Sequence, residues 1–437
     1  MSNLVRGHFC GGTGLRRMRG FSKLTRVEGA LDLVMKHCGD KVLGSESADV
    51  KEAWGRVLEE DVVSTIDVPP YDRSAVDGYA IRSEESFSAS RSNRALFYIR
   101  GIGEAGGARG QIGKGECYEV YTGAPIPVGA DAVVMAEDCE RKGDELNVYR
   151  AVPKFANISV RGEDIRSGET VLKRGERLRP WHVGVLASIG RGRVVVRGRP
   201  VIGIFSTGSE LVDVANTNKR GNASKVIDST RPMVVGLLKE LGCGVADEGI
   251  VQDDLEKISN MFKGLMVRVD AIVTIGGTSV GGKDLVPEAA QSLSESRIVF
   301  HGLAVKPGKP TGFGMLGETP FFMLPGYPVS ALVGYEVLIM PLLCRWLGVD
   351  VPKRNRVKAV MARRVSTTPG IRHFLRVTLN RREDVLIATP IALTGSGLLS
   401  SVTKADGMAV IKEDLEGLEE GDEVEVELLR GGSSVAK

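Results

Sequence analysis

The sequence predicts a multidomain chain of the α/β-plus-β class. It comprises a mixed helical linking domain, a β-rich domain inserted into it, an α/β domain and a small C-terminal β-barrel. Three patterns predict this. Strand and helix signals alternate from Pro200 to Leu347, as in a parallel sheet with helical crossovers. Short apolar runs broken by Gly, Pro and Asp fill residues 70–152, the mark of short strands and tight turns. Short strand signals return after Pro352. A length of 437 residues fits two to four domains, at ~100–200 residues each.

Taken in order, residues 1–21 read as a flexible tail: basic, without an apolar stretch, and so not a signal peptide. Thr25 and Glu28 form an S/T-x-x-E capping box. Val27, Ala30, Leu31, Val34, Met35 and Cys38 then recur at helical spacing. A second short helix is predicted over 47–59, with Val50, Ala53, Trp54, Val57 and Leu58 inward. Val68-Pro69-Pro70 ends regular structure, and the runs 118–122, 132–136 and 146–149 predict strands. A helix starts near Arg179-Pro180. Residues 22–67 with 153–196 thus form the linking domain, and 68–152 the insertion. In the α/β domain, 197–350, strands are predicted at 201–205, 245–251, 271–275, 298–303 and 321–324. Helices are predicted at 231–241, 253–265, 286–293 and 329–347. The barrel domain, 351–437, carries five strand signals: VKAVMARRV, FLRVTLN, VLIATPI, GMAVIK and EVEVELL.

Composition excludes several function classes. Lys+Arg 58 against Asp+Glu 55 leaves +3, which is no polybasic nucleic-acid binder. Apolar content of 42% with 26% charged is globular, not disordered. The apolar stretch around 332–344 contains Glu336 and Pro341 and is too short to span a bilayer. Six scattered cysteines without a CxxC pair argue against zinc and disulfides and for a reducing, cytoplasmic compartment. Glycine is the outlier, at 55 residues, placed in short loops where backbone turns tightly or approaches a ligand.

Those loops carry the chemistry. In open parallel sheets, ligands bind beyond the carboxyl ends of the strands. Three loops fall there: Ser206-Thr207-Gly208-Ser209-Glu210, Gly276-Gly277-Thr278-Ser279-Val280-Gly281-Gly282-Lys283-Asp284, and Leu324-Pro325-Gly326-Tyr327-Pro328-Val329-Ser330. Glycines let N–H groups converge, hydroxyls add donors and a helix start adds positive potential, so the second and third have the parts of an anion cradle. A plain Gly-rich turn is the competing reading for any one of them. None is a Walker A or G-x-G-x-x-G motif. In Lys306-Pro307-Gly308-Lys309-Pro310 two ammonium groups repel unless an anion or solvent separates them, so the segment is an oxyanion clamp or a solvated hairpin. Asp77, Asp164, Glu210 and Asp284 sit beside glycines or in loops. They are hard ligands that suit Mg²⁺ next to a phosphate, and equally ordinary turn caps. Thr122 adds a hydroxyl before a Pro-rich loop. The five histidines show no ligand spacing.

In this order, PPYDRSAVDGYA, TGAPIPVGADAVVMAED, RGEDIRSGETVL, PVIGIFSTGSELV, GGTSVGGKD, AVKPGKP and LPGYPVSALV resemble the molybdopterin molybdenumtransferases, the MoeA family that includes the gephyrin E domain. The resemblance covers residues 22–430. It implies a three-layer α/β molybdopterin-binding domain and a homodimer. The activity it implies is insertion of molybdate, or tungstate, into adenylylated molybdopterin, with Mg-dependent hydrolysis and AMP release, in molybdenum cofactor biosynthesis. An adenylyltransferase and acceptor molybdoenzymes are the implied partners. By the same resemblance the catalytic positions fall on Asp77, Thr122, Asp164, Glu210 and Asp284, with Mg²⁺ on Asp77, Glu210 and Asp284. Substrate-binding positions fall on Thr207, Gly208, Asp253, Gly276, Gly277, Thr278, Ser279, Lys306, Lys309, Pro325, Gly326, Pro328 and Ser330. Pattern alone makes Asp253 only a helix cap.

Three positions depart from the family's pattern: Arg73 and Tyr327 each stand where Asn is usual, and Ser209 where Asp is usual. Arg73 is expected to lower the pKa of Asp77, and Tyr327 removes an amide that could touch substrate. Two other readings stay open. One is a molybdopterin adenylyltransferase, which the GGTSVG loop allows and the extra β domains oppose. The other is a non-catalytic molybdopterin-binding scaffold on the same fold.

Overall fold

The computed structural model describes residues 24–216, 225–278, 285–391, 395 and 397–429. The chain forms two compact units, one of Ser45–Val196 and one of Met1–Gly44 with Arg197–Lys437. Helix α1 (Val27–Cys38) buries Val27, Ala30, Val34 and Cys38 in the core of the latter unit, the stripe its periodicity predicts. The expected capping box does not form: the N-cap is Arg26 and no side chain caps it. Thr25 is held in a bridge to Leu303, and Glu28 pairs with Arg372. A charge-assisted pair is stronger than a neutral cap bond.

In the unit of 45–196, the helix expected over 47–59 is replaced by a strand, Ser45–Asp49, and a single 3₁₀ turn, Val50–Glu52. Val50, Ala53, Val57 and Leu58 are buried as expected, but Trp54 is 66% exposed. Gly55, at φ +79°, takes the backbone out of helical space where the helix would continue. A six-stranded sheet follows: β1 (Gly78–Ile81), β2 (Ala95–Gly103), β3 (Glu116–Val120), β4 (Ala132–Met135), β5 (Cys139–Lys142) and β6 (Glu145–Val148). Its spatial order is β4-β1-β3-β2-β6-β5, with only β2–β3 parallel. Tyr79, Ile81, Phe97 and Leu146 fill one face, and Ala80, Val120 and Val133 the other. Helix α2 (Pro180–Ser188) begins at its proline as expected.

The other unit holds β7 (Val201–Thr207), α3 (Thr230–Leu241), β8 (Gly244–Val251), α4 (Leu255–Met266), β9 (Ala271–Ile275), α5 (Leu285–Gln291), β10 (Ser296–His301), β11 (Gly312–Leu316) and β12 (Thr319–Leu324). The sheet order is β8-β7-β9-β12-β11-β10. β8, β7, β9 and β12 are mutually parallel and β11 runs antiparallel between β12 and β10, so the sheet is mixed where a parallel one was expected. The difference lies in β11, which was not anticipated. Only Gly317-Glu318 separates it from β12, and a link that short can make only an antiparallel hairpin.

Two cores flank the sheet, giving three layers. Ile204, Val273 and Phe322 point to α1, α3 and the helices α6 (Pro328–Gly334) and α7 (Met340–Leu347). Phe205, Ile272 and Phe321 point to α4 and α5. A π turn, Tyr335–Ile339, joins α6 to α7 just before Pro341, which has no N–H to continue the ladder. The continuous apolar run Pro328–Leu347 is long enough to cross a membrane by length, but 72% of it is buried inside the protein.

Strands β13 (Arg356–Met361), β14 (Arg372–Arg382), β15 (Val385–Pro390), β16 (Gly407–Ile411) and β17 (Glu423–Leu428) form the expected barrel. The ring closes as β14-β15-β13-β17-β16-β14, which leaves no free edge. Leu375, Val377, Ala409 and Val426 fill it. Phe374 and Met408, one position along, face outward into the α/β core, so barrel and sheet pack together.

Candidate active site

β7 is the first strand of the α/β sheet. The chain passes from it to β8 on one side and then to β9 on the other. That reversal opens a crevice beyond the carboxyl ends of β7 and β9, where Thr207 and Gly276 lie. The Thr207 hydroxyl donates to Asp253 Oδ1 at 2.7 Å, and the Ser209 N–H to Asp253 Oδ2 at 2.9 Å. Asp253 is therefore more than a helix cap; the cap of α4 is Asp254, which accepts from the Lys257 N–H. Gly208 is buried, while Glu210 is exposed and its carboxylate makes no hydrogen bond among the described residues.

The second loop presses against the first. Gly276 has φ +87°, and a Cβ there would lie 2.4 Å from the Thr207 carbonyl oxygen; only glycine fits. Its N–H donates to the Leu324 carbonyl at 2.9 Å, which ties in the third loop. The Gly277 carbonyl accepts from the Val286 N–H, and Thr278 is buried. Ser279 and Asp284 lie outside the described residues. In the third loop Pro325, Pro328 and Ser330 are buried and Gly326 is exposed. The Gly326 carbonyl accepts from the Thr230 hydroxyl at 2.7 Å. Tyr327 is the N-cap of α6 but caps nothing; an Asn at an N-cap contributes ~1 kcal/mol more than a non-capping residue.

Lys306 and Lys309 are both exposed, at the two ends of one turn. The Gly308 carbonyl accepts from the Thr311 N–H and hydroxyl at 3.0 and 2.7 Å. A Cβ on Gly308 would lie 3.3 Å from the Ser330 carbonyl oxygen, so the lysine turn abuts the third loop. Lys306 pairs in register with His373 of β14. Burial first, and the Lys306 charge second, hold the His373 imidazole below its ordinary pKa.

Two arginines in this unit were missed from the sequence. Arg376, three residues past His373, is 4% exposed; its Nε has no hydrogen-bond partner, and no carboxylate pairs with it among the described residues. Burial pushes its guanidinium pKa down. A buried cation without a counter-charge is costly, and an oxyanion is its natural partner. The available signal was a lone arginine inside the strand run FLRVTLN. Arg231 is also buried, but bonds Asp213 at 2.5 Å, Asp228 at 3.0 Å and Asp247. It joins the segments after β7 and before α3 to β8.

In the unit of 45–196, Asp77 and Thr122 meet. Asp77 precedes β1 and Thr122 follows the adjacent β3, where Gly78 faces Val120. Asp77 Oδ1 accepts from the Thr122 N–H at 2.7 Å and its hydroxyl at 2.8 Å. The N–H first, then the hydroxyl, hold this carboxyl below its ordinary pKa. The expected contribution of Arg73 is not the source; that residue lies in a short ladder with Ser159. Asp164 is exposed on a separate loop, tied down where its N–H donates to the Val68 carbonyl at 3.1 Å and Arg161 pairs with Asp67 at 2.5 Å. It makes no bond to Asp77 or Thr122.

Three family models match in order: MoeA N-terminal region (domain I and II) over 25–190, probable molybdopterin binding domain over 203–345, and MoeA C-terminal region (domain IV) over 358–429. A molybdopterin molybdenumtransferase of Bacillus subtilis is 32% identical over 391 residues, covering 88% of this chain and 90% of that protein. The chain belongs to the molybdopterin molybdenumtransferase family. The Staphylococcus epidermidis molybdenumtransferase is 31% identical, over 88% of this chain and 91% of its own length. Among solved structures, a molybdopterin biosynthesis protein of Pyrococcus horikoshii OT3 is 32% identical, with a TM-score of 0.73 over 93% of this chain and 100% of that one. The family's fold is thus this chain's fold, including the closed barrel.

Proposed function

We propose that this family member is a transferase of molybdenum cofactor biosynthesis that delivers molybdate, or tungstate, to adenylylated molybdopterin with release of AMP. The observation that carries the reading is the locked glycine cradle at the β7–β9 crevice, in a chain like molybdenumtransferases over 88% of its length. The backbone N–H groups of Gly277 and Gly326 and the hydroxyls of Thr278 and Ser330 would hold the phosphate and pterin end of the substrate, while Gly276 and Thr207, whose donors are committed to Leu324 and Asp253, fix the loops that present them. Lys306 and Lys309 would hold the oxyanion. Molybdate and tungstate are tetrahedral dianions of nearly equal size, and both suit such a set.

Mg²⁺ belongs to the same reading. Mg²⁺ beside a phosphate is held by one or two carboxylates plus substrate oxygens. The candidates for that role are Glu210, whose exposed carboxylate makes no hydrogen bond among the described residues, Asp77, whose second oxygen is uncommitted, and Asp284. When bound, the ion would neutralise phosphate charge. The two hydrogen bonds from Thr122 favour the ionised form of Asp77, and Asp164 supplies a further exposed carboxylate. A homodimer and a cytoplasmic location are further parts of the reading. Trp181 on α2 and Trp54 are exposed aromatics suited to a partner subunit, and Cys38, Cys117, Cys139 and Cys243 are in no disulfide. An adenylyltransferase upstream and acceptor molybdoenzymes downstream are the implied partners.

The test is a defined reconstitution of purified protein, adenylylated molybdopterin, Mg²⁺ and micromolar molybdate. AMP release that depends on the oxyanion, with activation of a cofactor-free molybdoenzyme, is the expected result. ATP consumption with metal-free molybdopterin would instead identify an adenylyltransferase. Substrate binding without AMP release would identify a scaffold.

A further inference from the structure

The third loop of the cradle carries an exposed side chain that the reading above leaves without work. Tyr327 is 63% exposed, and its hydroxyl makes no hydrogen bond among the described residues. Its backbone is nonetheless tightly held. Pro325 and Pro328 flank it, and a residue before proline is confined to extended backbone; Tyr327 has φ −77° and ψ 127°. Next to it, the Gly326 carbonyl accepts from the Thr230 hydroxyl at 2.7 Å, and the Tyr327 carbonyl accepts from the Ala331 N–H at 3.0 Å. A Cβ on Gly326 would lie 3.7 Å from the Gly276 Cα, so the ring stems from the loop that touches the cradle. One side of the ring is supported. A Cβ on Gly397, in the segment between β15 and β16, would lie 3.2 Å from Tyr327 Cδ1 and 3.4 Å from Cε1.

A large aromatic fixed at its base, backed on one side by a glycine and otherwise in solvent adds neither to the core nor to the helix cap. Tyrosine in such a place offers rigid area with an apolar face. Flat heteroaromatic rings bind such faces by stacking, whichever base they carry. We infer that the Tyr327 ring is the surface on which a planar heteroaromatic ring of the substrate stacks, so that this residue sets substrate affinity. The inference rests on the proposed function, whose substrate carries two such rings, a pterin and an adenine.

The experiment compares the full-length wild type with Tyr327→Phe and Tyr327→Leu, each checked for an unchanged thermal midpoint. Equilibrium binding of adenylylated molybdopterin is measured, with kcat and KM for AMP release. Tyr327→Phe keeps the ring and should bind within about twofold of wild type. Tyr327→Leu should bind about 5- to 150-fold more weakly, the range for loss of one stacked base, with the loss in KM and kcat nearly unchanged. Two further arms use AMP alone and a simple oxidised pterin, and the one whose binding weakens in Tyr327→Leu identifies the stacked ring. Wild-type affinity in Tyr327→Leu, loss in Tyr327→Phe equal to that in Tyr327→Leu, or loss confined to kcat overturns the inference while leaving the proposed function standing. A wild type that does not bind adenylylated molybdopterin at all ends both.

Discussion

Asp253 clasps Thr207: the threonine hydroxyl donates to one carboxylate oxygen at 2.7 Å while the Ser209 N–H donates to the other at 2.9 Å. The end of β7 is thereby fixed to the segment that follows β8. Asp253→Ala leaves both donors without that acceptor, which costs about 1–3 kcal/mol. The loop carrying Glu210 loses its anchor, and small misplacements at a reacting site cost up to about 100-fold. We expect AMP release to fall by at least ~10-fold while the protein remains folded. Denaturant unfolding beside steady-state kinetics checks both, and wild-type turnover in Asp253→Ala would refute the role.

Thr122 sets the ionisation of Asp77. Its N–H is the larger influence and its hydroxyl the smaller. Thr122→Val removes only the hydroxyl, so the Asp77 pKa should rise part of the way toward its ordinary 3.8. A carboxyl with a lowered folded pKa contributes stability above the unfolded value, and that contribution is lost as pH falls through the folded value. In the variant that contribution is smaller and its loss is complete at a higher pH, and any acid limb of the rate governed by Asp77 moves up with the folded value. A carboxyl ¹³C titration of Asp77 reads the shift directly; an unchanged titration would show that the hydroxyl does not matter.

What the sequence made legible was the periodic and the local. The α/β strands read as apolar runs of β length, and the five barrel strands as alternating ones, because each buries a face whose spacing is written in the chain. The hairpin of β11 and β12 was hidden because GFGML is buried on both faces and so shows no alternation. The 47–59 segment had a helical burial pattern, but Gly55 at positive φ decides its conformation. At the site, the three loops were visible from glycines and strand ends. The Thr207–Asp253 bond was not, since 46 residues separate its partners. Arg376 was invisible for the same reason: that a cation is buried without an acid is a fact of three-dimensional neighbours.

Gly276 is the point of closest approach between two loops of the cradle. At φ +87°, with a Cβ position 2.4 Å from the Thr207 carbonyl oxygen, alanine forces the backbone or Thr207 to move. We expect Gly276→Ala to destabilise by about 1–3 kcal/mol and to weaken substrate binding at least ~10-fold. Glycine at 264 serves as a control, because a Cβ there meets nothing within 4 Å. Gly264→Ala should bind substrate like the wild type. Equal binding by Gly276→Ala would mean that the cradle does not touch the ligand.

Glu336, on the π turn between α6 and α7, pairs with Arg354 at the entry to the barrel domain. Burial raises its pKa above the ordinary 4.5, Arg354 offsets part of that, and the Glu427 charge adds to the rise. A carboxyl with a raised folded pKa contributes stability that is fully present below the unfolded pKa and is lost as pH rises through the folded value. Glu336→Gln is neutral at every pH and lacks this slope. Its stability relative to wild type should therefore increase as pH rises from about 4.5, the ordinary glutamate value, even though Arg354 has lost its charged partner. Urea midpoints of both proteins across that range test the sign. A difference that stays flat, or that falls with pH, would mean that the Arg354 pair outweighs burial and holds Glu336 ionised throughout.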